Sequence, residues 1–261
     1  MIILRGGTLV TDRAFTGDLG IEGEKIALIA DTIPAKPHDE IVDCTGCYVF
    51  PGGIDPHTHF AMTNALTTTA DDYESGTKAA LAGGTTTIIN FVTPVAGEPD
   101  ALHRAFERET EKAQNACCDY AFHMEILDDT DAILKEIQAM TELGVCSYKA
   151  YLAYAFRLSD DQIYRVMKAV KQAGGVLSAH CENGDLIQAL TDELDQRKTL
   201  TPADHPSTRP AAVEAEAIHR FATIGRLCDY PIHVVHLSAA VSPFPRLSAR
   251  RPASPDPMRS L

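Results

Sequence analysis

From Tyr48 onward, short β-rich runs alternate with amphipathic segments, and this rhythm limits the chain to one fold class. The runs are YVFPGGID (48–55), TTTIINF (85–91), DYAFHMEI (119–126), VCSYKA (145–150), GVLSAH (175–180) and PIHVVHL (231–237). Between them the apolar spacing predicts helices near 71–83, 99–115, 130–143, 159–174 and 210–227. In the fourth, Asp160, Gln162, Arg165 and Lys168 mark a polar face opposite Ile163, Val166, Met167 and Val170. Strands alternating with helices imply α/β architecture, a parallel sheet joined by right-handed crossovers. An open sheet and a (β/α) barrel both fit. A dinucleotide fold does not, because no GxGxxG follows a first strand.

The flanking segments differ. MIILRGGTLVT, GDLGIEGEKIALIA and IVDCTGCYVFPGG alternate apolar stretches with glycine-containing turns, so residues 1–49 read as a small module of β-hairpins. Residues 238–261 hold five prolines, five serines and four arginines against one acidic residue. Such a composition buries no core, and disorder is expected there.

Lys and Arg total 23 against 36 for Asp and Glu, a net charge of −13. An acidic chain repels a phosphate backbone, which argues against nucleic acid as a partner. No apolar run approaches the ~20 residues of a membrane span, and MIILRGGTLV lacks the form of a signal peptide. Seven cysteines without paired spacing then point to a reduced, cytoplasmic protein. CTGC (Cys44, Cys47) has no second pair, and adjacent Cys117 and Cys118 do not suit disulfide geometry; both are read as incidental.

Chemistry concentrates in the histidines. His57 and His59 follow the first barrel-type strand as H-x-H, and residues i and i+2 of an extended segment point the same way. His180 ends a second strand and His236 lies near the end of a third. Taken singly, each has an ordinary structural explanation. Together they bring imidazoles to the C-terminal ends of parallel strands, where α/β folds place their sites, and imidazole suits zinc. His38, His103, His205 and His219 fall in loops or helices and read as surface residues, while His123 and His233 lie within strands and read as structural. Lys149, also near a strand end, would put an ammonium beside any bound cation, which is unfavourable. Two readings are open: a neutral amine carboxylated by carbon dioxide to an anionic metal ligand, or a lysine snorkelling to solvent. Tyr154 is either an aromatic of the rim or a donor to a developing oxyanion.

The ordered set GGIDPHTHF, SYKAYLAY, AHCENGD, HPSTRP followed by VEAEAI, and HVVHLS resembles the dihydropyrimidinase/hydantoinase branch of the amidohydrolase superfamily, over residues 1–238. SYKAYLAY separates this branch from allantoinases and dihydroorotases better than H-x-H does. Cys181 stands where many relatives carry alanine. The resemblance implies a (β/α)8 amidohydrolase barrel with a β-sandwich built from both chain ends. It implies two zinc ions bridged by hydroxide and by carboxylated Lys149, with His57 and His59 on the buried metal, His180 and His236 on the exposed one, and Tyr154 on the oxyanion. The implied reaction is the reversible opening of a small-molecule cyclic amide, a dihydropyrimidine or 5-substituted hydantoin, to an N-carbamoyl amino acid. The implied assembly is a homotetramer.

The family pattern also carries an aspartate after the last barrel strand, which bonds the buried metal and shuttles a proton. The sole candidate beyond His236 is Asp256, in the proline-rich tail, and it does not replace that residue. A full barrel takes ~250 residues; positions 50–237 supply 188, enough for about six βα units. The expectation is therefore an incomplete barrel over 50–237, part of a β-sandwich over 1–49, and over 238–261 a truncated or frame-shifted end in preference to a natural flexible tail. The 261-residue chain alone is expected to be inactive or nearly so. The alternatives are an allantoinase-like hydrolase and a non-catalytic relative of dihydropyrimidinase that acts as an interaction protein.

Overall fold

The computed structural model describes residues 1–64, 67–197 and 199–239; positions 240–261 of the proline-rich tail, Asp256 among them, lie outside these. The chain opens with a mixed sheet of five strands: β1 (Ile2–Val10), β2 (Ala14–Glu22), β3 (Lys25–Ala30), β4 (Glu40–Asp43) and β5 (Tyr48–Val49). β1, β2 and β3 pair as the expected antiparallel hairpins. β4 and β5, however, run parallel to β1, so the module is not hairpins throughout. Turn residues report only on neighbouring strands, and the return of β4 to β1 is a longer-range pairing.

Six parallel strands follow: β6 (Gly53–Thr58), β7 (Thr85–Val92), β8 (Asp119–Glu125), β9 (Ser147–Tyr151), β10 (Val176–His180) and β11 (His233–Val234). Their spatial order is their chain order, with β6 and β11 at the two ends of an open sheet. The helices α1 (Tyr73–Ala82), α2 (Ala101–Ala113), α3 (Asp131–Glu142), α4 (Asp160–Ala173), α5 (Gly184–Asp195), α6 (His205–Thr208) and α7 (Ala211–Leu227) fill the connections. This is a (β/α) barrel open along one side, an α/β half-barrel carrying a small N-terminal sheet.

The run expected as one strand over 48–55 is split. Tyr48–Val49 joins the N-terminal sheet and Gly53–Thr58 begins the parallel one. Pro51 lies between them and has no N–H for a ladder. α5 was not foreseen either. Its start, Asn183-Gly184, reads as a turn, but the Asn183 side chain accepts from Leu186 N at 3.1 Å and caps a helix.

The core lies between strands and helices. On α4, Ile163, Val166, Met167 and Val170 are all fully buried, and Ser159 with Gln162 forms the capping box that starts the helix. Asn90 of β7 anchors a buried polar network, donating to Tyr73 Oη at 2.7 Å and accepting from Phe60 N at 2.8 Å. Tyr73 in turn donates to Glu109 at 2.8 Å, tying α1, α2 and β7 together. Among the described residues no helix is long and apolar enough to cross a membrane. All seven cysteines are free.

Candidate metal centre

The C-terminal ends of the parallel strands, with Lys149 at the middle of the short β9, bring the five singled-out residues into one cluster. His57 lies on β6 and His59 just beyond it, where pairing with β7 slips between Asp55 and Thr58. Such an irregularity re-aims side chains. Both rings pack on Phe91 of β7, with centroids at 4.5 and 4.8 Å, and lie 5.2 Å from each other. His236 follows β11, and its ring is 5.6 Å from His57 and 4.8 Å from His180 at the end of β10. His180 Nδ1 faces His236 Nε2 at 3.1 Å.

Lys149 is not at the surface. It is 1 % exposed in the middle of β9, with Nζ 5.1 Å from the ring centres of both Phe91 and Tyr151. Snorkelling to solvent is thereby corrected: the aromatic floor and the flanking strands leave the side chain no path out. Glu125, 5 % exposed, sits opposite Lys149 in the β8–β9 register and accepts from the Tyr151 hydroxyl.

The electrostatics follow from burial. Desolvation pushes the Lys149 ammonium down to about 8, partly opposed by Glu125. His57 is pushed down to about 4, first by burial, then by Lys149 and the neighbouring imidazoles. Burial likewise lowers His59 and His236, with Lys149 adding to both. These imidazoles are held neutral, the form in which nitrogen binds a cation.

Tyr154, in the loop after β9, has its ring 5.0 Å from His180. Its backbone is left-handed, φ 73°, as is that of His236 at φ 36°. Such strain in non-glycine residues gathers at functional sites. Burial raises the Tyr154 phenol, opposed by the charge of Arg209, so the hydroxyl keeps its proton. The loop is pinned by α5: a Cβ at Gly184 would lie 2.9 Å from Ala153 Cα, and Gly184 N donates to Leu152 O at 3.2 Å. A cavity of about 380 Å³ opens beside His180, Glu182, Arg209, Glu214 and His236.

Among the described residues no three His, Cys, Asp or Glu side chains converge as a finished metal cage. The His180 and His236 nitrogens instead face each other, and the His57 and His59 rings lie against Phe91. The donor set nevertheless fits cations. His59 Nδ1 is buried with no hydrogen-bond partner, and a buried polar atom without a partner is costly unless something binds it.

A family model described as the amidohydrolase family matches residues 48–219. The chain is 42% identical to a D-hydantoinase of Geobacillus stearothermophilus over 243 residues, covering 91% of this chain and 51% of the relative. It is 35% identical to a dihydropyrimidinase of Dictyostelium discoideum over 243 residues, covering 91% and 48%. Among solved structures, a dihydropyrimidinase from Brevibacillus agri NCHU1002 superposes with a TM-score of 0.87 at 37% identity, covering 91% of this chain and 52% of that one. The chain belongs to the dihydropyrimidinase/D-hydantoinase family of amidohydrolases. It spans about half the length of these relatives.

The family motifs carried more than the five residues first singled out. Glu182 lies inside AHCENGD and Arg209 inside HPSTRP. His180 Nε2 is 2.7 Å from Glu182 Oε2, and Arg209 forms an ion pair with the same carboxylate oxygen. Burial raises Glu182, but the His180 hydrogen bond and the Arg209 charge outweigh it and hold the carboxyl below its usual range. Phe91, Glu125 and Tyr151 were also missed; their part in the cluster depends on strand register, which local pattern does not report. Of the remaining histidines, His38, His103, His205 and His219 are exposed. His123 bonds Ser147 Oγ at 2.6 Å and Pro56 O at 2.8 Å, a structural tie between strands.

Proposed function

We propose that this chain carries the metal-binding half of a hydrolase that opens cyclic amides, dihydropyrimidines or 5-substituted hydantoins, to N-carbamoyl amino acids. One observation carries the reading: four histidines and a buried lysine share one strand edge, and His59 Nδ1 there has no partner. His57 and His59 would hold one zinc ion, His180 and His236 a second, and Lys149, carboxylated, would lie between them. Carboxylation joins the neutral Lys149 Nζ to the carbon of carbon dioxide and releases one proton; the ammonium must first lose another, so two protons leave in all as a buried cation becomes an anion suited to that place. Zinc, held there, would supply a hydroxide nucleophile at neutral pH and polarise the carbonyl under attack.

The chain's own residues do the rest. Tyr154 keeps its phenolic proton and donates it as a hydrogen bond to the oxygen that becomes negative. Phe91 and Tyr151 exclude water around Lys149. Among the described residues the parallel sheet is open, with β6 and β11 as its ends, so turnover depends on groups beyond these six strands, including the acid–base aspartate of the family pattern.

Ring opening of dihydrouracil, a 5-substituted hydantoin and allantoin tests the reading, with zinc and bicarbonate supplied. The expected result is little or no turnover by the 261-residue chain alone. Opening of the first two rings should appear when the chain is joined to the second half of a D-hydantoinase, and disappear with Lys149→Ala. Preference for allantoin would favour the allantoinase reading. Failure of both forms to bind zinc or open any ring would favour the interaction-protein reading. Robust zinc-dependent turnover by the chain alone would overturn the dependence on groups beyond the six strands.

A further inference from the structure

We infer that Glu182 and Arg209 are positioning residues that fix which nitrogen of His180 is offered to a metal and tie that histidine to Tyr154. The inference rests on the reading of His180 and His236 as ligands. A neutral imidazole has one N–H and one lone pair, and the partner of one nitrogen decides the state of the other. Glu182 Oε2 lies 2.7 Å from His180 Nε2. A carboxylate only accepts, so the hydrogen resides on Nε2 and the lone pair on Nδ1. Nδ1 is the nitrogen that faces His236 Nε2, at 3.1 Å. Without Glu182 the two tautomers would compete, and one of them turns an N–H toward the metal position.

Glu182 is itself held. Arg209 pairs with the same carboxylate oxygen, and the two side chains are 19% and 18% exposed, Arg209 first. In such a place an unpaired carboxylate is strongly disfavoured, so the pair stays closed. The Arg209 guanidinium also lies over the Tyr154 ring, 5.5 Å from its centre, while that ring is 5.0 Å from His180. Arg209 therefore touches both the device that orients a ligand and the proposed oxyanion donor. Its backbone is fixed between the end of α6 and Pro210, the N-cap of α7, and a following proline narrows what Arg209 can adopt.

The test uses the full chain in two states. In metal-free protein, long-range nitrogen–proton NMR reads the His180 tautomer, with assignment from His180→Ala. The expected result is the Nε2–H form in the unmodified chain, retention of that form in Glu182→Gln, whose amide oxygen still accepts, and a mixture in Glu182→Ala. Cobalt(II) titration of the same samples should give about 10–100-fold weaker binding for Glu182→Ala. Glu182→Gln should fall between that variant and the unmodified chain, and Arg209→Met should also weaken binding. An unchanged tautomer together with equal cobalt affinity in Glu182→Ala would overturn this inference alone. No cobalt uptake by the unmodified chain would overturn the metal reading and this inference with it.

Discussion

Two buried polar clusters in this molecule are built on opposite principles. In the N-terminal sheet, Asp18 is 3 % exposed, and both its oxygens are used: it accepts from Gly6 N at 2.8 Å and Ile33 N at 2.9 Å, with Arg5 Nε at 3.5 Å. At the end of the parallel sheet, Lys149 lies over two aromatic rings and His59 Nδ1 has no partner. The Asp18 carboxylate is satisfied as the chain folds, while Arg5 Nε beside it makes the ion pair but no hydrogen bond. The second cluster leaves His59 Nδ1 without a partner, and on the proposed reading a bound cation completes it. A satisfied buried group supports the fold, while an unsatisfied one costs stability that a ligand must return.

Substitutions can break that comparison. The largest effect should come from Asn90, which belongs to the α/β half yet is fully satisfied. Asn90→Leu removes the centre of a network joining Tyr73, Glu109 and Phe60, and chemical denaturation should show a loss of about 2–4 kcal/mol. A neutral result would mean that satisfaction does not decide. Next is Lys149→Met, which replaces a desolvated ammonium by an apolar side chain of similar length. Metal-free stability should rise by about 1–3 kcal/mol, although the proposed metal bridge is lost; a fall of that size would show that the lysine is structural. His59→Phe keeps the stacking on Phe91 and removes the orphaned nitrogen. It should leave metal-free stability unchanged or raise it by up to about 1 kcal/mol, read as a shift in thermal midpoint.

The smallest effect sharpens the other side. Hydrogen bonds from Ile33 and Gly6 hold the Asp18 carboxyl below its usual range. A group depressed on folding contributes stability that is present above its unfolded value, near pH 4, and is lost as pH falls through its lower folded value. Asp18→Asn should therefore flatten the acid limb of the stability profile below about pH 4 and leave the neutral-to-basic slope unchanged. An identical acid limb in the variant would remove Asp18 from the account.

Much of the site was readable in the sequence because its four histidines lie at or near strand ends, where chain order and spatial order agree, and Lys149, expected at a strand end, lies at the middle of the short β9. His57, His59, Lys149, His180 and His236 needed only the alternation of strands and helices to be placed on one edge. The rest depends on distances the chain does not announce. Glu125 meets Lys149 through strand register, and Arg209 meets Glu182 from 27 positions away. α5 was hidden because Asn-Gly signals a turn as readily as a helix start, and only Gly184 and Ile187 of its residues are buried. β4 and β5 escaped because parallel return to β1 leaves no local turn signature.

The central claim is that the parallel-sheet cluster is an incomplete polar site awaiting cations. Equilibrium dialysis of the full chain against zinc, with bicarbonate present and bound metal counted per chain, tests it most directly. The account predicts saturable uptake that is lost in His59→Phe and Lys149→Met while Asn90 and Asp18 variants that remain folded retain it. No uptake, or uptake indifferent to His59 and Lys149, would contradict it.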